Sequence, residues 1–554
     1  MSCVRLLSSC STRLAWGLFM FGLGVYSNAA ENGQTLEEDD RTQLVQSLPA
    51  GFFTPVTAPS RPIAIQQLCP EWEPSSTVLI SVPLSGTLAN PKALKFVLDF
   101  LVATVPHIPV GILYNRDEES RLGRLIHEIE KNPSLSGYSG RIDFVESRVQ
   151  GFWIRDHGPQ FGRSHQGDLI VIDSIFRFLE VESLYDPSRF GEFNAASQRN
   201  YSDDLSPQFV ANYLRSDYEY ETSIVRPPLH LQGGDFSTDG RGNVFISEDT
   251  IASNGGGWGT IERIFQNYFG AENIHILNPP KGNSAKHLDL LFKVATDKTY
   301  LVSRQPRADY LSTSHSRNLA QQISRSLKNN LSYIKRNLSG IEVLELPMPS
   351  LLVKSRDQRL LELRGEVLNL VSRKANVDLG LVLNGNPKLP EAESARSAVA
   401  LEMLLETGKN INLNNEADLE MVAQKYLSLG IEEFLETYVN RQAIYRSYTN
   451  SLIVTNPSLE TLILLPRFNV QEGESQSDYA AMEQEVERAY LSLYPSAQLK
   501  WIDSDEITRL GGSIHCMSIS VPLQVKLTAS RKLKKSDSIL STNNGQSHLF
   551  RLEF

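Results

Sequence analysis

A cysteine near the end of the chain lies in the sequence context expected of a nucleophile. Cys516 follows a turn that begins with Gly511 and Gly512, and it precedes an apolar run typical of a buried strand. The chain has four cysteines, two of them in the N-terminal segment that we expect to be removed, so a disulfide scaffold is not indicated. Cys516 alone leaves two alternatives open, an inert buried thiol and a disulfide with Cys69.

Three further residues complete a set suited to chemistry on a guanidinium group. Asp156 lies in a Trp-Ile-Arg-Asp-His-Gly-Pro segment, and His287 and Asp289 are two positions apart. In a strand such a pair shares one face and can enter one pocket. A thiol attacks electrophilic carbon, a histidine moves protons, and two carboxylates match the forked N–H donors of a buried guanidinium. The alternatives are a turn-forming role for Asp156 and a structural role for the His-Leu-Asp segment.

The elements that would carry these residues alternate between strand-like and helix-like patterns. Residues 76–82 and 110–114 predict strands, residues 92–105 predict a helix, and the alternation predicts an α/β fold. Polar residues recur at five predicted strand starts, each adjoining a second apolar run. We interpret these places as five copies of one β/α unit around a shared centre. They are residues 153–156, 232–235, 287–289, 448–450 and 512–516.

A segment of helical character interrupts this repeat. Residues 355–446 show apolar residues at helical spacing, among them Leu360, Leu363 and Val367. We expect an inserted helical subdomain whose apolar stripes pack helix against helix. A binding role for the stripes is the alternative.

The N-terminal segment has the features of a secretory signal peptide. Arg5 and Arg13 are followed by an apolar run over residues 14–25, which is shorter than the ~20 residues that a membrane-spanning helix needs. Small residues up to Ala30 offer a cleavage site. We expect residues 1–30 to be cleaved, leaving no stable membrane span, and the protein to be exported to the periplasm or the extracellular space. A retained N-terminal anchor is the alternative.

Composition suggests the remaining organisation. We expect a linker or arm at 31–62, an α/β catalytic unit at 63–525 and a C-terminal tail at 526–554. The formal net charge of −10 argues against nucleic acid as the main ligand, because phosphate binding requires a basic face. The histidines form no convincing ligand set, so no metal and no other cofactor is expected.

In their order along the chain, the polar segments resemble the motifs of the family of agmatine deiminases and bacterial (Porphyromonas-type) peptidylarginine deiminases. Residues 153–159 resemble the W-x-R-D-x-G-P signature, and residues 70–74, Pro-Glu-Trp-Glu-Pro, resemble the usual opening of the family. The resemblance runs from about residue 70 to residue 523, apart from the helical insertion. The segments that look like the remaining motifs are 231–235, 238–240, 287–289, 447–450 and 511–516.

The resemblance implies a five-bladed, pseudo-symmetric α/β propeller of the guanidino-group-modifying (pentein) superfamily, and it implies roles. Cys516 would attack the guanidinium carbon, and loss of ammonia would leave a covalent thiouronium. His287 would protonate the ammonia and then activate water. Asp156 and Asp289 would hold the guanidinium nitrogens. The residues expected to bind or position the substrate are Trp153, Arg155, Gly234, Asp235, Asn450 and His515.

One position departs from the family pattern. Relatives often carry an acidic residue before the glycine pair, where this chain has Gln232. If that acid supports the histidine, its absence changes the protonation or the orientation of His287. We expect that a pairing of Gln232 with Asp235 would compensate.

These inferences predict a secreted deiminase. Its substrate would be a guanidine compound, either agmatine, arginine or peptidylarginine, and the products would be a ureido group and ammonia. Export favours peptidylarginine or scavenged small guanidines over intracellular agmatine. Two alternatives stay open: an amidinotransferase that passes the same intermediate to an amine, and a non-catalytic secreted binding protein on the same fold.

Overall fold

A computed structural model of the chain describes residues 59–149, 151–176, 202–254, 257–280, 287–304, 314–353, 443–471 and 474–524. The predicted signal peptide, the predicted tail and residues 355–442 of the predicted helical insertion lie outside the described residues. Within the described part of the chain, no helix combines the length and the apolar character that crossing a bilayer requires.

The described residues alternate between strands and helices, as the sequence predicts. The strands are β1 (Gln67–Leu68), β2 (Ser75–Ser81), β3 (Val110–Asn115), β4 (Ile142–Ser147), β5 (Gln160–Arg163), β6 (Leu169–Ile172), β7 (Thr222–Val225), β8 (Phe236–Thr238), β9 (Asn243–Ser247), β10 (Asn273–Leu277), β11 (Phe292–Val294), β12 (Thr299–Ser303), β13 (Glu342–Leu346), β14 (Leu352–Val353), β15 (Ala443–Ile444), β16 (Leu452–Thr455), β17 (Thr461–Arg467), β18 (Gln498–Asp503) and β19 (Ser518–Pro522).

The helices lie between these strands. They are α1 (Leu84–Ala89), α2 (Pro91–Thr104), α3 (Glu119–Glu130), α4 (Ile154–His157), α5 (Ser206–Asp217), α6 (Glu248–Ser253), α7 (Trp258–Phe269), α8 (Ser314–Asn337), α9 (Gln476–Leu493) and α10 (Asp505–Arg509). Two 3-10 turns that matter for the site are Gly233–Asp235 and Leu288–Leu290.

Five small mixed sheets in the described part share one pattern of pairing. In each, a first strand pairs antiparallel with a central strand, and the central strand pairs parallel with a third. The triples are β5–β6–β7, β8–β9–β10, β11–β12–β13, β16–β17–β18 and β19–β2–β3. The fifth triple joins the two ends of the folded chain, because β19 lies against β2 with Ile519 opposite Leu79. β1 and β4 extend two of these sheets, and β14 and β15 form a separate ribbon.

Each central strand is an apolar run that is buried on both faces, which is typical of a strand with a parallel neighbour. β2 shows this clearly, since all seven of its residues are buried. Val78 and Ile80 pack with Phe100 of α2, whereas Leu79 packs with Val171 and Ile519 in a second cluster. One strand therefore contributes to two hydrophobic cores.

The helices that cover the sheets begin and end where local chemistry predicts. Asn90 caps α2 by accepting hydrogen bonds from the backbone N–H groups of Lys92 and Ala93, and Pro91 occupies the first helical position. α7 ends at Gly270, which has φ of 63°. A Cβ at that glycine would lie 2.5 Å from the carbonyl oxygen of Ile65, so both the backbone angle and the space require glycine.

Candidate active site

Each of the five sheets follows a tight polar turn. The sequence predicted that these polar residues begin strands, and this prediction is wrong in detail. Asp156 lies in the single turn of α4, and Asp235 and Asp289 lie in 3-10 turns; residues 448–450 and 514–517 also form turns. A helical turn lets polar side chains face the centre while the strand that follows stays apolar. Local hydrophobic patterning did not distinguish this arrangement from a polar strand start.

Cys516 lies in the turn before β19 and is 3 % exposed. Its carbonyl oxygen accepts a hydrogen bond from the backbone N–H of Arg155 at 3.0 Å, which joins this turn to α4. Its Sγ accepts a hydrogen bond from Nδ2 of Asn450 at 3.2 Å. Cys516 and Cys69 are both free thiols, so the alternative of a disulfide between them is wrong.

Two buried carboxyl groups flank this centre. The Cys516 Sγ lies 3.4 Å from Oδ2 of Asp289, and Oδ1 of Asp156 lies 3.3 Å from Nδ1 of His287. Both aspartates are less than a tenth exposed. Among the described residues, Oδ1 of Asp289 accepts no hydrogen bond, and the ring nitrogen near Oδ1 of Asp156 is Nδ1 of His287 at 3.3 Å, too long for a good hydrogen bond. A buried carboxylate oxygen without a good donor is costly in a folded protein, so Oδ1 of Asp289 in particular indicates a ligand with N–H groups.

His287 lies between an amide and a carboxylate. Its Nε2 donates a hydrogen bond to Oε1 of Gln232, and its Nδ1 faces Asp156. The predicted compensation by pairing of Gln232 with Asp235 is not found: Asp235 accepts hydrogen bonds from the hydroxyls of Ser247, at 2.7 Å, and Thr250. Gln232 instead accepts a hydrogen bond from His287 directly, so its carboxamide orients the ring without help from Asp235.

The charges around the thiol set its protonation. Burial raises the pKa of Cys516 well above its ordinary value, and the negative charges of Asp289 and Asp156 raise it further. Burial also raises the pKa of Asp156 to about 6, against the opposing influence of His287. A site without a bound cation therefore holds a neutral thiol.

The pKa values of His287 and Asp289 shift in the directions that favour their charged forms. Burial disfavours the charged form of His287, but the carboxylates of Asp156 and Asp289 outweigh burial and raise its pKa. Burial likewise disfavours ionised Asp289, but the hydrogen bond and charge of His515 outweigh it and lower the pKa of Asp289. The site thus favours the ionised form of Asp289 and the protonated form of His287 beside the neutral thiol.

Two glycines allow the close approach of these groups. A Cβ on Gly234 would lie 2.7 Å from both Oδ1 of Asp156 and Nδ1 of His287. A Cβ on Gly512 would lie 2.7 Å from the ring of Trp153 and 2.8 Å from Cβ of Cys516. The structure thus places Gly234 as a spacer between two reactive groups and packs Trp153 against the turn of the cysteine.

Sequence reasoning missed a charged cluster behind the thiol. Oε2 of Glu71 lies 2.6 Å from Nε2 of His515 and 3.2 Å from Nη2 of Arg155, and Oε1 lies 2.5 Å from Nζ of Lys293. His515 also contacts Oδ2 of Asp289 through Nδ1 at 2.8 Å. Lys293 in the short apolar strand β11 was the available signal, since a buried lysine requires an anionic partner.

No group of three or more His, Cys, Asp or Glu side chains in the described ranges is arranged to hold a metal ion. The side chains that meet at the centre are instead a thiol, carboxylates and imidazoles. Such a set can bind a planar cation, attack its carbon and transfer protons. This arrangement is compatible with the site predicted from the sequence for a guanidino group.

Comparison with known proteins identifies the family. The family model of the Porphyromonas-type peptidyl-arginine deiminases matches residues 67–522, so the chain belongs to that family and is a hydrolase that acts on guanidino groups. A Vibrio parahaemolyticus protein named "Putative agmatine deiminase" is 26% identical over 279 residues, which are 48% of this chain and 69% of that protein.

Solved structures share the fold. A cysteine-to-serine variant of the agmatine deiminase of C. jejuni, with substrate bound, matches 84% of this chain and 99% of its own with a TM-score of 0.50 and 13% identity. The "Putative Arginine Deiminase" of Porphyromonas gingivalis matches 82% of this chain and 98% of its own with a TM-score of 0.50 and 15% identity. The α/β class is confirmed, and the fold is that of the agmatine deiminase structures.

Proposed function

We propose that this protein is an active, exported deiminase that hydrolyses the guanidinium of peptidylarginine or agmatine to a ureido group and ammonia through a thiouronium on Cys516. The observation that supports this most is a pair of buried carboxylate oxygens: Oδ1 of Asp289 accepts no hydrogen bond among the described residues, and Oδ1 of Asp156 has only a long contact of 3.3 Å with Nδ1 of His287. A guanidinium supplies N–H donors for both and places its carbon near the thiol.

Binding of the cation also explains how the thiol becomes reactive. The two carboxylates raise the pKa of Cys516 while they are not neutralised. A bound guanidinium pairs with Asp156 and Asp289 and so favours the thiolate, which is the nucleophilic form. The amide of Asn450, 3.2 Å from Sγ, donates a hydrogen bond to the same sulfur. Substrate therefore activates its own nucleophile.

The chemical steps then follow from the contacts. The thiolate forms a C–S bond with the guanidinium carbon, and the C–N bond to one nitrogen breaks as His287 gives that nitrogen a proton and ammonia leaves. His287 next takes a proton from water, and the hydroxide adds to the thiouronium carbon. The C–S bond then breaks as the added hydroxyl releases its proton to solvent, which gives the ureido product and the thiolate. Because Nε2 of His287 is held by Gln232, Nδ1 is the nitrogen that transfers the proton.

The same proposal includes the architecture predicted from the family resemblance, a five-bladed pseudo-symmetric propeller with a helical insertion at 355–446. The shared pairing pattern of the five mixed sheets supports it, as does the pairing of β19 with β2. Export is proposed from the signal-peptide features of residues 1–30. Those features favour peptidylarginine, whereas the name of the Vibrio relative favours agmatine.

A comparison of substrates tests the proposal. Mature protein is incubated with agmatine, free arginine and an internal-arginine peptide, and ureido product and ammonia are measured, with Cys516→Ala as the control. We expect product from at least one substrate and none from the variant. The absence of product from all three would refute the proposal. Transfer of the amidino group to an added amine, in place of hydrolysis, would identify an amidinotransferase.

A further inference from the structure

Glu71 lies where four of the five sheet units meet, although it belongs to none of the polar turns. Its Oε1 accepts hydrogen bonds from Nζ of Lys293 in β11, at 2.5 Å, and from the backbone N–H of Ile453 in β16, at 3.1 Å. Its Oε2 contacts Arg155 of α4 at 3.2 Å and His515, next to Cys516, at 2.6 Å. The buried carboxylate of Glu71 therefore contacts four residues that lie around the reaction centre.

The contacts of His515 define the state of its ring. Nε2 faces a carboxylate oxygen of Glu71 at 2.6 Å, and Nδ1 faces a carboxylate oxygen of Asp289 at 2.8 Å. Ionised carboxylates only accept hydrogen bonds, so this geometry is satisfied by a ring that donates from both nitrogens, which is the imidazolium. Both distances are typical of charge-assisted hydrogen bonds.

Glu71 is the carboxylate partner that can fix the ring of His515 through Nε2. Burial disfavours its ionised form, but the charges of Lys293, His515 and Arg155 outweigh burial and lower the pKa of Glu71 well below its ordinary value. The groups that face the Glu71–His515 pair are Arg155, Lys293 and Asp289, with Tyr490 and Tyr494 within electrostatic range of Glu71. The carboxylate therefore persists throughout the pH range in which the protein would work.

We propose that Glu71 is a positioning residue for the reaction: its carboxylate fixes the ring of His515, and through His515 it keeps Asp289 charged and oriented beside the thiol. The inference rests on the proposed function. Oδ2 of Asp289 accepts from His515 and lies 3.4 Å from Sγ of Cys516, which leaves Oδ1 for the guanidinium. Without Glu71 the ring of His515 loses one of its two carboxylate partners, and its hydrogen bond to Asp289 is no longer fixed in direction.

Three substitutions test this role against a purely structural one. Glu71→Gln removes the charge, and Glu73→Gln is the matched control, because Glu73 is two residues away and pairs with Arg163 at 3.2 Å outside the site. Lys293→Met removes a cation that pairs with Oε1 of Glu71 but leaves the contact between Oε2 of Glu71 and His515. We expect Glu71→Gln to lower kcat/KM about tenfold or more, mostly through KM, and to move the acid limb of the pH profile to higher pH, because the hydrogen bond of His515 that lowers the pKa of Asp289 against burial is weakened. Glu73→Gln is expected to keep the pH profile of the unsubstituted protein, whereas Lys293→Met, which removes the largest charge that lowers the pKa of Glu71, is expected to share part of the change.

The double variant Glu71→Gln/Lys293→Met addresses stability, because it removes opposite buried charges together. We expect it to regain melting temperature relative to Glu71→Gln but to keep the altered pH profile. Recovery of both stability and the original profile would show that Glu71 only supports the fold. An unchanged profile in Glu71→Gln would also overturn the proposal.

Alkylation of Cys516 by iodoacetamide, mapped by mass spectrometry, gives a readout that needs no turnover. If Glu71 acted only as a background negative charge, its removal would favour the thiolate and move the labelling profile to lower pH. Because it acts through His515, we expect the weakened contact between His515 and Asp289 to leave more of the negative charge of Asp289 acting on the thiol, which moves the profile to higher pH. A shift to lower pH, or none, would contradict the inference even if the unsubstituted protein hydrolysed no guanidine tested.

Discussion

His287 and Gln232 are joined by a hydrogen bond from Nε2 of the ring to Oε1 of the carboxamide. This contact orients the imidazole without contributing a negative charge. The raised pKa of His287 instead reflects Asp156 and Asp289, which outweigh its burial. A single acidic side chain could supply both the orientation and the negative charge. In this protein Gln232 orients the ring of His287, and Asp156 and Asp289 supply the charge.

Substitution at Gln232 separates these two contributions. Gln232→Glu adds an anion beside Nε2, so the pKa of His287 rises further and the alkaline limb of the kcat/KM profile moves to higher pH by about one unit. Gln232→Leu leaves Nε2–H without its acceptor, and we expect about a tenfold loss of kcat/KM. Superimposable pH profiles for the three proteins would show that the contact plays no part in proton transfer.

Ionisation of Asp156 is expected to favour activity and to lower the stability of the fold. Its pKa is raised to about 6 by burial, so kcat/KM falls as the pH drops through about 6 and the carboxylate that binds the guanidinium is lost. A carboxyl whose pKa is higher in the folded state costs stability progressively as the pH rises from its ordinary pKa of 3.8 to about 6, and the full cost is present above that pH.

Asp156→Asn therefore tests both effects in one protein. We expect at least a hundredfold loss of activity at pH 8, because the charge that pairs with the cation is absent. The melting temperature at pH 8 is expected to equal or exceed that of the unsubstituted protein. A large drop in melting temperature would instead assign Asp156 a structural role.

Gly234 is predicted to be intolerant of even one added methyl group. In Gly234→Ala the new Cβ would lie 2.7 Å from both Asp156 and His287, so the two groups must separate and activity falls by about a hundredfold. Gly259→Ala is the control, because nothing lies within 4 Å of the Cβ it would add to α7. Full activity in Gly234→Ala, measured as ammonia release, would contradict this geometry.

A buried triad beside the site determines stability, not chemistry. Arg226 contacts Asp173 at 2.8 Å and also Asp204, and all three are nearly inaccessible. Arg226→Met leaves two buried carboxyls without their cation, and we expect a loss of about 3 to 5 kcal/mol in the free energy of unfolding.

We expect the loss in the free energy of unfolding of Arg226→Met to depend on pH. Burial raises the pKa of Asp173 to about 7 even with Arg226 present, so in the variant Asp173 is protonated at pH 6 and the destabilisation is smaller than at pH 8. Urea unfolding at both pH values measures it. Arg116→Met is the control: Arg116 pairs with Glu146 at 3.1 Å on the surface, and its loss should cost less than about 1 kcal/mol.

The sequence predicted much of this molecule because its signals are local. Apolar runs and helical patterning place β2, α2 and β3 within one or two residues of their observed bounds. The order of the polar segments led to Asp156, His287, Asp289 and Cys516, which the structure brings together. Their catalytic roles, the signal peptide and the helical insertion stay predictions.

What the sequence could not predict depends on contacts between distant parts of the chain. Glu71 meets Lys293 and His515 only because the chain closes between β2 and β19. The partner of Gln232 is likewise set by how two separate turns approach each other, which hydrophobic spacing does not encode. Long-range pairing of charged side chains is the information that local patterns lack.

The most direct test of the proposed mechanism is detection of the covalent intermediate. Protein mixed with substrate is quenched in acid within the turnover time, digested and analysed by mass spectrometry. We predict a thiouronium adduct, equal to the substrate less ammonia, on the peptide that contains Cys516, and none on the peptide that contains Cys69. Steady release of ureido product by Cys516→Ala, or turnover with the adduct on another residue, would contradict the central claim.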